Sequence, residues 1–390
     1  MTRPARVGLS DPGRQLLMLG DQVGEAVERV LGSGVFLAGS ESAALEGEFA
    51  AWLGRDAGLC VSSGSSALES ILYALGVGNG DAVAVTSNLD ISAVAPIVRL
   101  GAEPAWVDVV PGTTGMSVDD LDARWDGRIR AILLVHTHGY PAAAQAAARL
   151  GREKGVPLIE DITHAPGAWL GGERVGTFGR AAIMSCAPTK PLAAVGSLGL
   201  IAADDTRLIR RAREYASYGF ELAGLEALHR GQAGPHFDYV TAGINGLPDE
   251  LSAAIVRAKL PLMDGWADRR RAKAALYDDL FARVGQARAV PVGCPPKSSS
   301  APRSYVIQAE DRDSLAKDLG ARDIGVSYNY VPSLHRQRVF ATDDPVDLPA
   351  TDRLDDTILG LPNAPENRDS ETEYVLEVLE YLLTQPGAVR

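Results

Sequence analysis

Lysine is scarce in this chain. Six occur among 38 basic residues, and one of them has unusual neighbours. Lys190 stands in Ser185-Cys186-Ala187-Pro188-Thr189-Lys190-Pro191-Leu192, an otherwise apolar stretch, between two prolines. A desolvated lysine has a depressed pKa and is a nucleophile able to form a Schiff base. A loop lysine in solvent is the plainer reading of the same residues. A second candidate is the pair Glu160-Asp161, which closes an apolar run. A carboxylate at a strand end can hold a positively charged ligand atom, or it can merely cap the next segment. His164 follows three residues later; a lone histidine is more often structural than catalytic. A third candidate is Ser62-Ser63-Gly64-Ser65-Ser66-Ala67-Leu68. Backbone amides at a helix start, with hydroxyls beside them, suit an anion such as phosphate, with Gly64, Ser65 and Ser66 forming the cup. Serine is also a preferred N-cap of any helix.

These residues need elements to hold them. From 56 to 205 short apolar runs alternate with helical patterns. Gly58–Ser62, Ala82–Thr86, Pro104–Val109, Ala131–His136, Val156–Asp161, Ala181–Ser185 and Leu198–Ala203 read as strands. Ser65–Leu75 and Ala142–Lys154 read as helices between them. Such alternation predicts a mainly parallel sheet covered on both faces. Thr206–Tyr218, Glu250–Lys259 and Trp266–Val284 follow as helices, Ala289–Ser300 as a linker, and Ser304–Gln308 as a strand. Ser314–Leu319 reads as a short helix and Gly325–Tyr330 as an extended piece. The last helix is signalled by a capping box, Ser370 with Glu373, and by Tyr374, Val375, Val378, Tyr381 and Leu382 on its inward face. The cup, the carboxylate and the lysine then all lie at strand ends. That set is what pyridoxal phosphate requires: the cup for its phosphate, the acid for its pyridine nitrogen, the lysine for its aldehyde.

Composition narrows the alternatives. A net charge of −12 with no long basic run disfavours nucleic acid. No apolar run reaches the ~18 residues of a membrane span, and no secretory signal is visible, so a cytoplasmic enzyme is expected. Three dispersed cysteines (Cys60, Cys186, Cys294) make neither a disulfide scaffold nor a zinc module. There is no His-Glu-x-x-His metal motif and no Gly-Lys-Ser/Thr phosphate loop, so no metal is expected. Gly76-Val77-Gly78-Asn79-Gly80 follows a helix rather than a strand, so it reads as a C-cap and turn and not as a dinucleotide fingerprint.

The chain resembles the DegT/StrS-type sugar aminotransferases over nearly its whole length. The resemblance rests on Ser33–Glu41 with Glu48-Phe49-Ala50, on Leu75–Asp81, on Arg99–Pro104, and on Val135-His136 with Gly139 and Pro141. It continues through Glu160-Asp161 to His164-Ala165, Pro188-Thr189-Lys190, Gly243-Ile244-Asn245 and Leu334-His335-Arg336-Gln337. It implies a pyridoxal-phosphate enzyme of fold type I, like aspartate aminotransferase. A large, mainly parallel α/β/α domain (1–250) would precede a smaller α+β domain (251–390). It implies that Lys190 binds the aldehyde and moves the proton, and that Asp161 pairs with the pyridine nitrogen. His164 would lie against the ring and its phenolic oxygen. Ser65, Ser66 and Ser185 would bind phosphate. Asn245 would reach the phosphate region of a neighbouring subunit, which implies a homodimer with shared sites.

Three positions depart from the family pattern. Asp90, after Leu89, stands where an aromatic would stack on the cofactor; Leu247 stands where an arginine closes Gly-x-Asn-x-Arg; His138 replaces a common tyrosine. The expected activity is transfer of an amino group from glutamate or glutamine to a keto sugar, nucleotide-linked, or to a cyclitol, in amino-sugar or antibiotic biosynthesis. Asp90 and Leu247 motivate an alternative, a dehydratase, eliminase or epimerase using the same cofactor. A non-catalytic sensor on the same fold is a further alternative, against which Lys190 argues. Candidates for substrate contact are His138, Tyr330, His335, and His229, Arg230 and His236 in the long polar segment 221–242.

Overall fold

The computed structural model describes residues 6–220, 239–285, 288–342 and 345–384. Its first strands are β1 (Ala57–Val61), β2 (Ala82–Thr86), β3 (Glu103–Val107), β4 (Ile129–Val135) and β5 (Leu158–Asp161). Two short strands, β6 (Trp169–Leu170) and β7 (Glu173–Arg174), leave the main sheet before β8 (Ala181–Ser185) and β9 (Gly199–Ala203) return to it. The seven-stranded sheet has the order β1-β9-β8-β5-β4-β2-β3. Strand β9 runs antiparallel to both of its neighbours. All other pairings are parallel, so the mainly parallel reading holds with one reversed strand. Because β9 reverses twice over, β1, β8, β5, β4 and β2 all end on the same edge.

Alternation along the strands fills two cores. In β4, Ile132 and Leu134 join Leu45, Phe49, Ala147 and Val256 on one face. Ala131, Leu133 and Val135 join Leu68, Ile71, Ile97 and Leu208 on the other. The covering helices Gly64–Ala74, Ala144–Lys154, Thr206–Ala216 and Glu250–Lys259 fall close to where their periodicity puts them. Three helices at the N-terminus, Pro12–Leu17, Gln22–Ser33 and Ser40–Leu53, add to what the sequence reading supplied.

A smaller layer follows. Strands β10 (Ala289–Pro291), β12 (Ser304–Ala309) and β13 (Ile358–Pro362) form an antiparallel sheet, while β11 (Ser298–Ser299) pairs with β6. The expected linker 289–300 therefore carries two short strands. Helix Met263–Val284 joins the layers: Met263, Trp266 and Ala267 enter the large core, and Tyr277, Leu280 and Phe281 enter the small one. The apolar contacts thus change hands inside this helix, C-terminal to the expected boundary at 250/251.

Two local expectations are corrected. The last helix is Asp369–Thr384, and its start is tied by Glu371, which accepts the Arg368 N–H at 2.8 Å, rather than by Ser370 and Glu373. Its inward face carries Leu379 with Val375 and Leu382, while Tyr381 is exposed. The extended piece 325–330 makes one antiparallel bridge, Ser327 to Gly360. The turn at 76–80 is as read, with Gly76 and Gly80 at φ 83° and 84°.

Candidate active site

A cavity of about 340 Å³ opens where the strand ends converge, and its lining includes Gly64, Ser65, Asp90, Asp161, His164, Ser185, Lys190 and Tyr330. One wall is the start of helix Gly64–Ala74. Ser63 Oγ caps it by accepting the Ser66 N–H at 3.0 Å. The Gly64 and Ser65 N–H groups, at the positive end of the helix dipole, have no partner among the described residues. Gly64 must be glycine here, since a Cβ would lie 2.5 Å from the Ser185 Cβ. That close approach brings the Ser185 side chain beside the free amides, and the Ser65 hydroxyl, which donates to Ser92 O at 3.2 Å, lines the same cavity, a set that fits a phosphate. Ser66 does not join them. Its hydroxyl is bonded to Ser62 and Ser63, at 3.0 and 2.9 Å, inside the cap.

The floor is the end of β5, where successive side chains point to opposite faces. Asp161 faces the cavity, and its Oδ1 accepts the Thr163 N–H at 2.8 Å. Burial pushes its carboxyl up, against the hydrogen bonds of Thr163 and the charge of Lys190. Glu160 points the other way. It accepts three N–H groups, from Gly176, Phe178 and Gly179, each at 2.7 Å, and lies 3.1 Å from His136 Nε2. Glu160 and His136 thus fasten the strand end that presents Asp161.

Above the floor, Lys190 Nζ lies 3.1 Å from His164 Nε2, and the Tyr330 hydroxyl is 3.3 Å from the same nitrogen. His164 Nδ1 accepts the His138 N–H at 3.3 Å. Burial, then the charge of Lys190, push His164 well below the ordinary histidine range, so the ring is neutral. With Nδ1 accepting, the proton sits on Nε2, an assignment drawn from the bonding pattern. Nε2–H therefore donates toward the amine. Lys190 is itself held below its ordinary pKa, first by burial and then by the Arg303 guanidinium; Asp161 and Asp90 oppose the shift. A neutral ring that donates to the amine favours the uncharged amine over the ammonium, in the same direction as its burial.

The other expected residues are placed as follows. His138 lies behind the cavity, its ring 6.2 Å from that of His164 and 6.0 Å from that of Tyr330. Asn245 pairs with Ser217 in an antiparallel bridge and does not line this cavity. His335 is also elsewhere, bonded to Ser87 and Asp352. His229, Arg230 and His236 lie outside the described residues. Asp90 is at the mouth, where Oδ1 accepts the Ser92 N–H at 2.9 Å and caps the turn Ile91–Ala93. Its departure from the family pattern thus has a local backbone account. Thr163, Ser63, Ser92 and Ser197 line the cavity without having been expected; the Thr163 signal was its place two residues past a strand-end acid. Among the described residues no acidic, histidine and cysteine cluster could hold a metal ion.

The model of the DegT/DnrJ/EryC1/StrS aminotransferase family matches residues 18–380. The chain is 32% identical to a dTDP-3-amino-3,4,6-trideoxy-alpha-D-glucose transaminase of Streptomyces venezuelae, over 87% of this chain and 86% of that protein. It is 31% identical to a pleiotropic regulatory protein of Geobacillus stearothermophilus, over 95% and 97%. Among solved structures, S. venezuelae DesV in complex with a ketimine intermediate superposes with a TM-score of 0.90, at 28% identity, covering 98% of this chain and all of that one.

Proposed function

The chain belongs to the DegT/DnrJ/EryC1/StrS aminotransferase family, and on that premise we propose that it moves an amino group from glutamate or glutamine to a keto sugar, nucleotide-linked, or to a cyclitol. The observation that carries this reading is the desolvated Lys190 amine, set between Asp161 and the neutral His164 at the strand ends. Pyridoxal phosphate, when bound, supplies an electron-accepting ring that stabilises negative charge at the substrate carbon. The residues present fit it. The Gly64 and Ser65 amides with the Ser65 and Ser185 hydroxyls would bind its phosphate. Asp161 would keep a proton on its pyridine nitrogen. His164 would donate from Nε2 to its ring oxygen. Lys190 Nζ would hold the aldehyde carbon in the resting enzyme and, once the donor's amine had displaced it, would be the free base that moves the proton at the substrate carbon. The Asp90 carboxylate engaged at the turn leaves transamination favoured over dehydration, elimination or epimerisation. The same set of residues supports an enzyme over a sensor.

The active unit in this reading is a homodimer, in which Asn245 serves the partner's phosphate site. The consecutive apolar residues Val35, Phe36 and Leu37, exposed by 44%, 51% and 53%, support a surface meant to be covered. No helix among the described residues is long and apolar enough to cross a membrane, and we place the enzyme in the cytoplasm. In this reading the large cofactor-binding unit is 1–250 and the smaller C-terminal unit 251–390, with helix Met263–Val284 packing against both cores. An absorbance titration of the holoenzyme with amino donors tests the reading. L-glutamate or L-glutamine should bleach the cofactor band, and the keto sugar should restore it. A protein that binds no pyridoxal phosphate, or whose band no amino acid bleaches, refutes it.

A further inference from the structure

Beside the site stands a cation that the roles above leave unused. Arg303 immediately precedes β12, and its segment is pinned to the turn after β4. The Ala301 N–H donates to Gly139 O at 3.0 Å, and the Arg303 N–H to His138 O at 2.7 Å. His138 takes φ 58° and Gly139 φ 95° in that turn, and a Cβ on Gly139 would strike the Ala301 carbonyl. Two unusual backbone conformations thus bring the Arg303 side chain against the lysine loop, where Nε donates to Thr189 O at 3.3 Å. Thr189 is the residue before Lys190. From there the charge of Arg303 pushes Lys190, His164, His138 and Tyr330 all downward.

Arg303 has no carboxylate partner among the described residues. Its Nη1 is buried and makes no hydrogen bond. A desolvated, unpaired guanidinium is costly to keep, and its planar fork matches a carboxylate. Resting on the aminotransferase reading, we propose that Arg303 binds the α-carboxylate of the amino-acid donor and so selects α-amino acids as the first substrate. The α-carboxylate is one bond from the carbon that carries the reacting amine, so the group that binds it must lie close to the lysine loop, against which Arg303 Nε is held at Thr189 O. A diphosphate on the acceptor is many bonds from the reacting ketone and would need a cation farther out.

The test uses holoenzyme of the native protein, Arg303→Gln and Arg303→Lys, with the cofactor band and melting curve confirming that each is folded and loaded. The first half-reaction is followed by bleaching, with the accepted amino acid and with the amine left by removing its α-carboxylate. Arg303→Gln should lower kcat/KM for the amino acid roughly 30- to 100-fold more than it lowers the rate with the amine, mainly through KM. Arg303→Lys should recover part of the loss. An equal loss with both donors, or a loss confined to the acceptor half-reaction, overturns the assignment. Glutarate, which cannot react, gives a readout independent of turnover. Its binding, measured by the shift of the cofactor band, should weaken by at least about 10-fold in Arg303→Gln. Equal binding to both proteins overturns the assignment even if transamination is confirmed. A native enzyme that binds glutarate through Arg303 but is bleached by no amino acid refutes the aminotransferase reading instead.

Discussion

Two histidine clusters lie at the junction of the large sheet and the smaller layer, and they are built on opposite terms. Around His335 every polar group finds a partner. Its Nδ1 is 2.8 Å from Ser87 Oγ, its Nε2 is 3.1 Å from Asp352, and Asp352 also meets Arg336. Beside it Asp355 accepts both the Ser333 N–H and hydroxyl, at 2.9 and 2.6 Å. The order serine, histidine, aspartate copies a nucleophile's relay, yet Ser87 is fully buried and no substrate can reach it. Around His164 the terms reverse. Lys190 is held below its ordinary pKa, Arg303 has no carboxylate partner among the described residues and leaves Nη1 unbonded, and burial pushes His138 down to about 3. Completed hydrogen bonding marks a structural joint; donors left over and displaced pKa values mark where a ligand belongs.

Substitution should separate the two clusters most widely at Lys190 and His335. Lys190→Ala removes the nucleophile and proton carrier, so turnover should fall by at least about 10⁴-fold. The melting temperature of the cofactor-free protein should hold or rise, because a desolvated amine is gone. His335→Ala should do the reverse. It strands Ser87 Oγ in the interior and should cost about 1–3 kcal/mol of stability, read by denaturant titration, with turnover per folded molecule retained. If His335→Ala abolished turnover in folded protein, the comparison would fail.

The next largest contrast is between two buried carboxylates. Asp161→Asn keeps the shape and the Thr163 contact but loses the charge that faces the cavity. Turnover should drop on the order of 10²- to 10³-fold, with little change in melting. Asp355→Ala leaves the Ser333 N–H and hydroxyl unsatisfied and should cost about 2–4 kcal/mol, with the cofactor still bound. Rates and melting curves of the two variants, measured side by side, check both directions.

The sequence made one cluster far more legible than the other. Lys190, Asp161 and the serine-glycine turn are local: each is a strand end with its loop, and strand ends show as breaks in apolar runs. Burial alone would have misled. Lys259 and Lys273, both within expected helices, are 1% and 5% exposed and pushed to about 8 by burial, so desolvation does not single out Lys190. They differ in being bonded to carbonyls, Lys259 to Ala193 O and Lys273 to Asn367 O, each at 2.6 Å. Those partners lie far along the chain and leave no local pattern. Arg303 was hidden for the same reason, since only the pairing of 301–303 with the 138–139 turn brings it in. His335 was misassigned because its motif lies in the matched family pattern, while its partners, Ser87 and Asp352, are remote in sequence. Helix Ser40–Leu53 escaped notice because buried residues surround it without a clean stripe.

The finest test of the comparison is electrostatic. Cofactor-free protein should capture pyridoxal phosphate through the neutral Lys190 amine, so the capture rate rises as pH rises through the pKa of Lys190. The Arg303 charge disfavours the ammonium and Asp90 favours it. Removing the positive charge in Arg303→Gln lets the ammonium persist to higher pH, and the midpoint of the rate profile should move up. Removing the negative charge in Asp90→Asn should move it down. His335→Ala alters no group that acts on Lys190 and should leave the midpoint in place. Opposite shifts from two neutralising substitutions cannot come from a general loosening of the fold, which would move both profiles the same way. Stopped-flow absorbance across the alkaline range reads all three, and parallel shifts for Arg303→Gln and Asp90→Asn would show that neither charge acts on the lysine.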